Sequence, residues 1–210
     1  MRYSTVLIIN IHAARRQTTV TSTKELQEKI EFPPLGDWAL DPAHTVAGFV
    51  GRYLMVTKVF GKFNGVSGTI HIAEDPQESW VEVSLDTASI TTDHEDRDKH
   101  LKSPDFLDVE NHPTIEFRST GFEGAGEHWT VSGDLTIKGE TRPITLDVEY
   151  HGVVSDPWGG RRVAFSAFTD INREDWGLTW NVALEAGGVL VGPKVRLEIE
   201  TQGVLQADKE

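Results

Sequence analysis

The sequence predicts an all-β fold of about eight antiparallel strands, and three observations carry that expectation. Apolar and polar residues alternate with a period of two in segment after segment beyond Asp37, helical periodicity is nearly absent, and the connections are short and carry Gly, Pro or Asp. Successive Cβ atoms of a strand project to opposite faces, so each alternating segment has one dry side and one wet side. Short turns suit antiparallel neighbours, because parallel strands need a long crossover.

The elements follow in order. Pro33-Pro34 and Gly36-Asp37 stop whatever precedes them, and the first strand is expected near residues 38–50 and the second near 58–72. In the third, 79–86, Val81, Val83 and Leu85 oppose Glu82, Ser84 and Asp86. Residues 93–104 lack alternation and are heavily charged, which predicts a short helix between strands, stopped by Pro104. Strands near 114–122, 128–138, 144–151, 162–171 and 194–204 complete the set, the last with Val195, Leu197 and Ile199 against Arg196, Glu198 and Glu200. Residues 172–182 form a second irregular excursion. Eight such strands fit a closed barrel or a sandwich, and closure removes the edges that a sandwich must defend. Gly48, Gly61, Gly65, Gly68 and Gly133 lie inside strands and fit barrel bends or sandwich corners alike.

One folded domain is expected over 36–206, preceded by a flexible tail over 1–35. That tail holds five bases and three acids, a net of +2 in a chain of net −13. It has no acid before Lys24 and many Ser and Thr, so a transit peptide is its other reading. The apolar run from Val6 to Ile11 is short, broken by Asn10 and followed by Arg15-Arg16 instead of a small-residue cleavage site. A cytoplasmic location is therefore expected, with a periplasmic or secreted one if the start is misassigned. No segment approaches the roughly 18 to 20 apolar residues of a transmembrane helix.

With 20 bases against 33 acids, the chain repels phosphate backbones and anionic surfaces, and nucleic acid is not an expected partner. The absence of cysteine excludes disulfides, thiol nucleophiles and thiolate metal sites. His94, Glu95, Asp96, Asp98 and His100 are metal-capable, but histidines six apart do not share a helix face as an i, i+4 pair does, which favours a solvated helix. There is no Gly-x-Ser-x-Gly elbow, phosphate-cradling loop or dinucleotide fingerprint, and among 33 acids no hydrolytic pair can be nominated. No reaction and no cofactor are expected. The positive signal is the stock of large apolar side chains, which serve either as plain core or as a ligand wall.

Several blocks of residues carry a family resemblance. They are Trp38 to Thr45, Met55 to Phe63, Ser89 to Thr92, Arg97 to Asp108, His112 to Thr120, Gly133 to Gly139 and Ile171 to Gly177. In this order and spacing the chain resembles the YceI-like family over about residues 37–205. The resemblance implies a lipocalin-like, eight-stranded antiparallel barrel around a long apolar cavity. It also implies binding of an isoprenoid-type lipid, a polyprenyl chain or a quinone, without reaction. The wall candidates are Phe49, Met55, Phe60, Phe63, Val83, Leu101, Phe106, Phe117, Leu135, Phe165, Trp176 and Leu184. Arg97-Asp98 and Asn172-Arg173 are expected to fix structure near the barrel mouth, with a head-group contact as the alternative. Tyr53 stands where the family often has His, so no histidine role is carried to that position. A homodimer is left open. The rival reading is a β-sandwich carbohydrate-binding or protein-interaction module, with Trp80, Trp129, Trp158 and Trp180 as a stacking platform.

Overall fold

The computed structural model describes residues 32–185 and 187–207, so the expected tail lies outside the described residues as far as residue 31. The strands are β1 (Gly36–Leu40), β2 (Val46–Tyr53), β3 (Thr57–Phe63), β4 (Val66–Ile72), β5 (Trp80–Asp86), β6 (Ile90–Thr91), β7 (Thr114–Ala125), β8 (His128–Ile137), β9 (Glu140–Ser155), β10 (Arg161–Asn172) and β11 (Lys194–Leu205). One helix, α1 (Glu95–Lys102), lies between β6 and β7, inside the predicted 93–104.

Hydrogen-bonded neighbours run β1, β4, β5, β7, β8, β9, β10, β11, and β11 pairs again with β1, which closes an antiparallel ring of eight strands. The ring is a barrel, so the sandwich alternative does not describe this chain. Two of the eight predicted segments are each divided. A 3-10 turn at Pro42–His44 splits 38–50 into β1 and β2, because Pro42 has no N–H to donate and Asp41 turns its carboxylate onto the Ala43 amide. Both halves still run along one edge of β11, with Trp38 opposite Leu205 and Ala47 opposite Ile199. The turn at Asn64-Gly65 splits 58–72 into β3 and β4. Strands β2, β3 and β6 thus extend the barrel wall beyond the ring at one end.

Two of the in-strand glycines admit an aromatic ring. A Cβ on Gly61 would lie 2.2 Å from the Phe49 ring, and one on Gly133 would lie 2.4 Å from that of Phe117. Real Cβ atoms do not approach so closely, so these positions let a cross-strand ring lie flat over the neighbouring backbone.

The two ends of the barrel differ. One carries the start of β1 and the β4–β5, β7–β8 and β9–β10 connections; the other carries α1, the β2–β3 and β8–β9 turns and residues 173–185 and 187–193. Phe63, Ile90, Leu107, Ile137, Ile171, Trp176 and Leu178 are buried in one cluster and fill this second end. At the first end Trp38, fully buried, donates its indole N–H to Pro34 O and packs over Gly203.

A charged latch ties β1 to β10. Arg162 Nη1 lies 2.5 Å from Asp41 Oδ2 and Arg162 Nε 3.2 Å from Asp156 Oδ2, while His44 Nδ1 lies 2.8 Å from Asp41. The guanidinium of Arg162, with a lesser contribution from His44, lowers the Asp41 carboxyl to about 2. A carboxylate depressed on folding contributes stability above its unfolded pKa, near 3.9, and loses it as pH falls towards the folded value. Asp41→Asn should therefore be less stable than the parent in urea unfolding by a constant margin above about pH 5, and the margin should close between about pH 4 and 2. A margin that persists unchanged at the acid end would mean the carboxylate charge is not its source.

Candidate functional site

The ring leaves a cavity of about 250 Å³ inside it. Its wall is the inward phase of the ring strands: Val81, Val83 and Leu85 from β5, Ile144, Leu146 and Val148 from β9, and Leu197 and Ile199 from β11. Alternation places these side chains on the dry face because their neighbours are polar. The space persists because small side chains, Ala47 on β2 and Ala167 on β10, stand on either side of Ile199 where larger ones would meet in the middle.

The cavity reaches the surface at the first end, where Phe32, Pro33, Pro76, Ser79, Phe122 and Trp129 form its rim. Phe32 makes an edge contact with Trp129 at 6.2 Å between ring centroids, so the chain leading into β1 meets β8, the strand opposite it in the ring. Towards the second end it stops at Leu85, Ile115, Leu135 and Ile144, against the buried cluster. None of the wall residues is Asp, Glu, Lys or Arg. The inward hydroxyls of Thr45 and Thr201 lie 2.9 Å apart and bond to each other.

Of the twelve side chains proposed for the wall, Val83, Phe117, Leu135 and Phe165 line the cavity. Phe49 and Phe63 pack together at the closed end, 5.9 Å between rings, with Trp176 in the same cluster and Leu101 of α1 against it. Phe106 is buried in a separate aromatic group with His100 and Trp180. Phe60 and Met55 are exposed, at 62% and 49%. Phe60 and Phe63 are an odd number of residues apart in one strand and face opposite ways, while Met55 sits in the β2–β3 turn with φ of 62°. Leu184 lies half-buried in the loop before β11. Selection by size missed most of the wall, whereas the alternating Val, Ile and Leu triplets mark it directly in the sequence.

The polar pairs expected near the mouth stand at the closed end. Arg97 donates to the hydroxyl and carbonyl of Thr92, and Asp98 accepts from Thr91 and Thr92. Arg173, 3% exposed, donates to the carbonyls of Gly192, Leu178 and Val191, and burial lowers its pKa from the usual arginine value. These side chains hold irregular backbone together, satisfying carbonyls that no strand reaches. Nor do the four tryptophans form a platform. Trp80 stacks on His71, Trp129 stands at the rim, Trp158 is exposed in the β9–β10 turn, and Trp180 packs on His100.

His151 Nε2 lies 2.5 Å from Ser166 Oγ, and that hydroxyl donates to Glu200 Oε2 at 2.8 Å. The Glu200 carboxylate therefore accepts the serine O–H and leaves the imidazole to donate to Oγ, the reverse of a general-base arrangement. No group of three or more metal-capable side chains converges among the described residues.

These features agree with known proteins. The family model of the YceI-like domain matches residues 38–203. A UPF0312 protein of Serratia proteamaculans is 39% identical over 65% of this chain and 71% of its own length, and Protein YceI of Escherichia coli O157:H7 is 35% identical over 78% and 83%. The crystal structure of the Campylobacter jejuni YCEI protein superposes with a TM-score of 0.64 at 26% identity, covering 74% of this chain and 90% of that one. A polyisoprenoid binding domain from Saccharophagus degradans shares the fold, with a TM-score of 0.61 at 15% identity over 82% of this chain and all of that one. The closed ring, the strand order and the matched residues 38–203 lead to one conclusion: the chain belongs to the YceI-like family.

Proposed function

We propose that this protein binds a long apolar lipid of the isoprenoid type, a polyprenyl chain or a quinone, inside the barrel and carries or sequesters it without reaction. The observation that carries the reading is the hollow itself: a barrel of eight strands whose interior is apolar, free of Asp, Glu, Lys and Arg side chains, closed at one end and open at the other. About 250 Å³ would hold on the order of eight waters at about 30 Å³ each, which a wall with so few polar partners cannot bind well. An extended hydrocarbon fits such a space, because apolar contact needs no directed partner. Each methylene removed from water contributes about 0.8 kcal/mol, so an isoprene unit is worth up to about 4 kcal/mol gross, and a few units suffice for tight binding. The polyisoprenoid binding recorded for the Saccharophagus degradans domain of the same fold is consistent with it.

Native mass spectrometry of the protein as expressed is expected to show a bound apolar species that organic extraction removes and an added prenyl alcohol or quinone restores. A protein that arrives ligand-free and takes up neither compound would overturn the reading.

A further inference from the structure

We propose that the lipid this cavity accepts has an uncharged head, an alcohol, a carbonyl or a quinone, and that phosphorylated or carboxylate-headed chains of equal length are rejected. The inference rests on the lipid-binding reading and adds the class of head group. Two independent observations carry it.

The first is the wall. From rim to floor it holds no Lys or Arg, and its one histidine, His71, is bonded through Nδ1 to Asp37 Oδ1 at 2.6 Å, so an anionic head drawn inside would lose its hydration and meet no unpaired cation. What the interior offers instead, besides Tyr150 with a partner of its own, is the Thr45–Thr201 pair. Two hydroxyls that share one hydrogen bond retain a second O–H, suited to a neutral oxygen acceptor and inadequate for a dianion.

The second is the rim. The β4–β5 connection supplies Glu74, Asp75 and Glu78, and the β7–β8 end supplies Glu123 and Glu127, all exposed. These two segments carry the rim residues Pro76, Ser79, Phe122 and Trp129, and Gln77 bonds Phe122 O across them. None of the five acids forms an ion pair with a described base, and Arg162, the nearby guanidinium on β10, is already held by Asp41 and Asp156. A negative collar beside a low-dielectric opening lowers the local concentration of anions, and salt weakens the effect over about a Debye length. Arg161 starts β10 at this same end of the barrel, and it has a partner of its own.

The test compares geranylgeraniol with geranylgeranyl phosphate on the full chain, by titration of tryptophan fluorescence, at low and at high salt. The alcohol is expected to bind at least about tenfold more tightly at low salt, with the ratio shrinking as salt rises. Glu74→Gln with Asp75→Asn and Glu78→Gln, on an exposed loop, should narrow the ratio at low salt and leave the alcohol's affinity unchanged. Equal or tighter binding of the phosphate overturns the inference while the lipid-binding reading stands, and loss of that binding in Arg161→Ala would identify an anion site instead. If neither compound binds, the lipid-binding reading fails and the inference with it.

Discussion

Replacing Ala167 with Trp should abolish lipid binding and leave the barrel folded. Ala167 stands on β10 between Val148 of β9 and Ile199 of β11, and all three face the cavity. An indole at this point projects into the middle of a space of about 250 Å³ and occupies the path of any extended chain. In a filled core such an enlargement costs about 1–3 kcal/mol through displaced neighbours. Here it enters vacant apolar space and gains the contact that the lipid would otherwise make, so stability should change little. The affinity for a prenyl alcohol should fall by at least about a hundredfold, equivalent to about 2.7 kcal/mol or less than one isoprene unit's gross contact. Phe168→Trp, on the outer face of the same strand beside Arg196, is the control and should bind as the parent does. Full affinity in Ala167→Trp would place the lipid somewhere other than the barrel interior.

The fold was legible because period-two alternation is a strictly local signal. Val81, Val83 and Leu85, or Ile144, Leu146 and Val148, declare a dry face without reference to the rest of the chain. The breaks at Pro42 and Gly65 were less legible, since alternation resumes on the far side of each and β1 and β2 share one partner edge. The wall was harder, because phase tells only which side chains face inward and not whether they meet. Phe63 and Phe117 both face inward, yet one seals the end and the other borders open space. That difference depends on depth along the barrel axis, which follows from strand register and from the small residues at 47 and 167. The roles of Arg97 and Arg173 were hidden for a related reason: their partners are backbone carbonyls, which no sequence motif reveals.

Trp176→Ala should bring the largest loss of stability and change what the cavity accepts. Trp176 is 3% exposed in the 3-10 turn that follows β10, a turn ended by Gly177 in the left-handed conformation. Its indole N–H donates to Leu135 O at 3.0 Å, and Leu135 itself lines the cavity floor. Truncating a buried Trp costs about 3–5 kcal/mol, and the orphaned carbonyl adds to it. Trp176→Phe keeps most of the packing and loses only the hydrogen bond, so about 1–2 kcal/mol is expected for it in urea unfolding. The vacated indole site adjoins the floor through Leu135, so the hollow should lengthen towards the closed end. In a series of prenyl alcohols, Trp176→Ala should therefore shift the optimum to longer chains, whereas Trp176→Phe should keep the parent optimum. If the alanine variant does not fold, Trp176→Leu makes the same comparison with a smaller cavity. An optimum that stays fixed in a folded variant would show that the chain end never reaches this floor, and that ligand length is set at the rim by Phe32 and Trp129 instead.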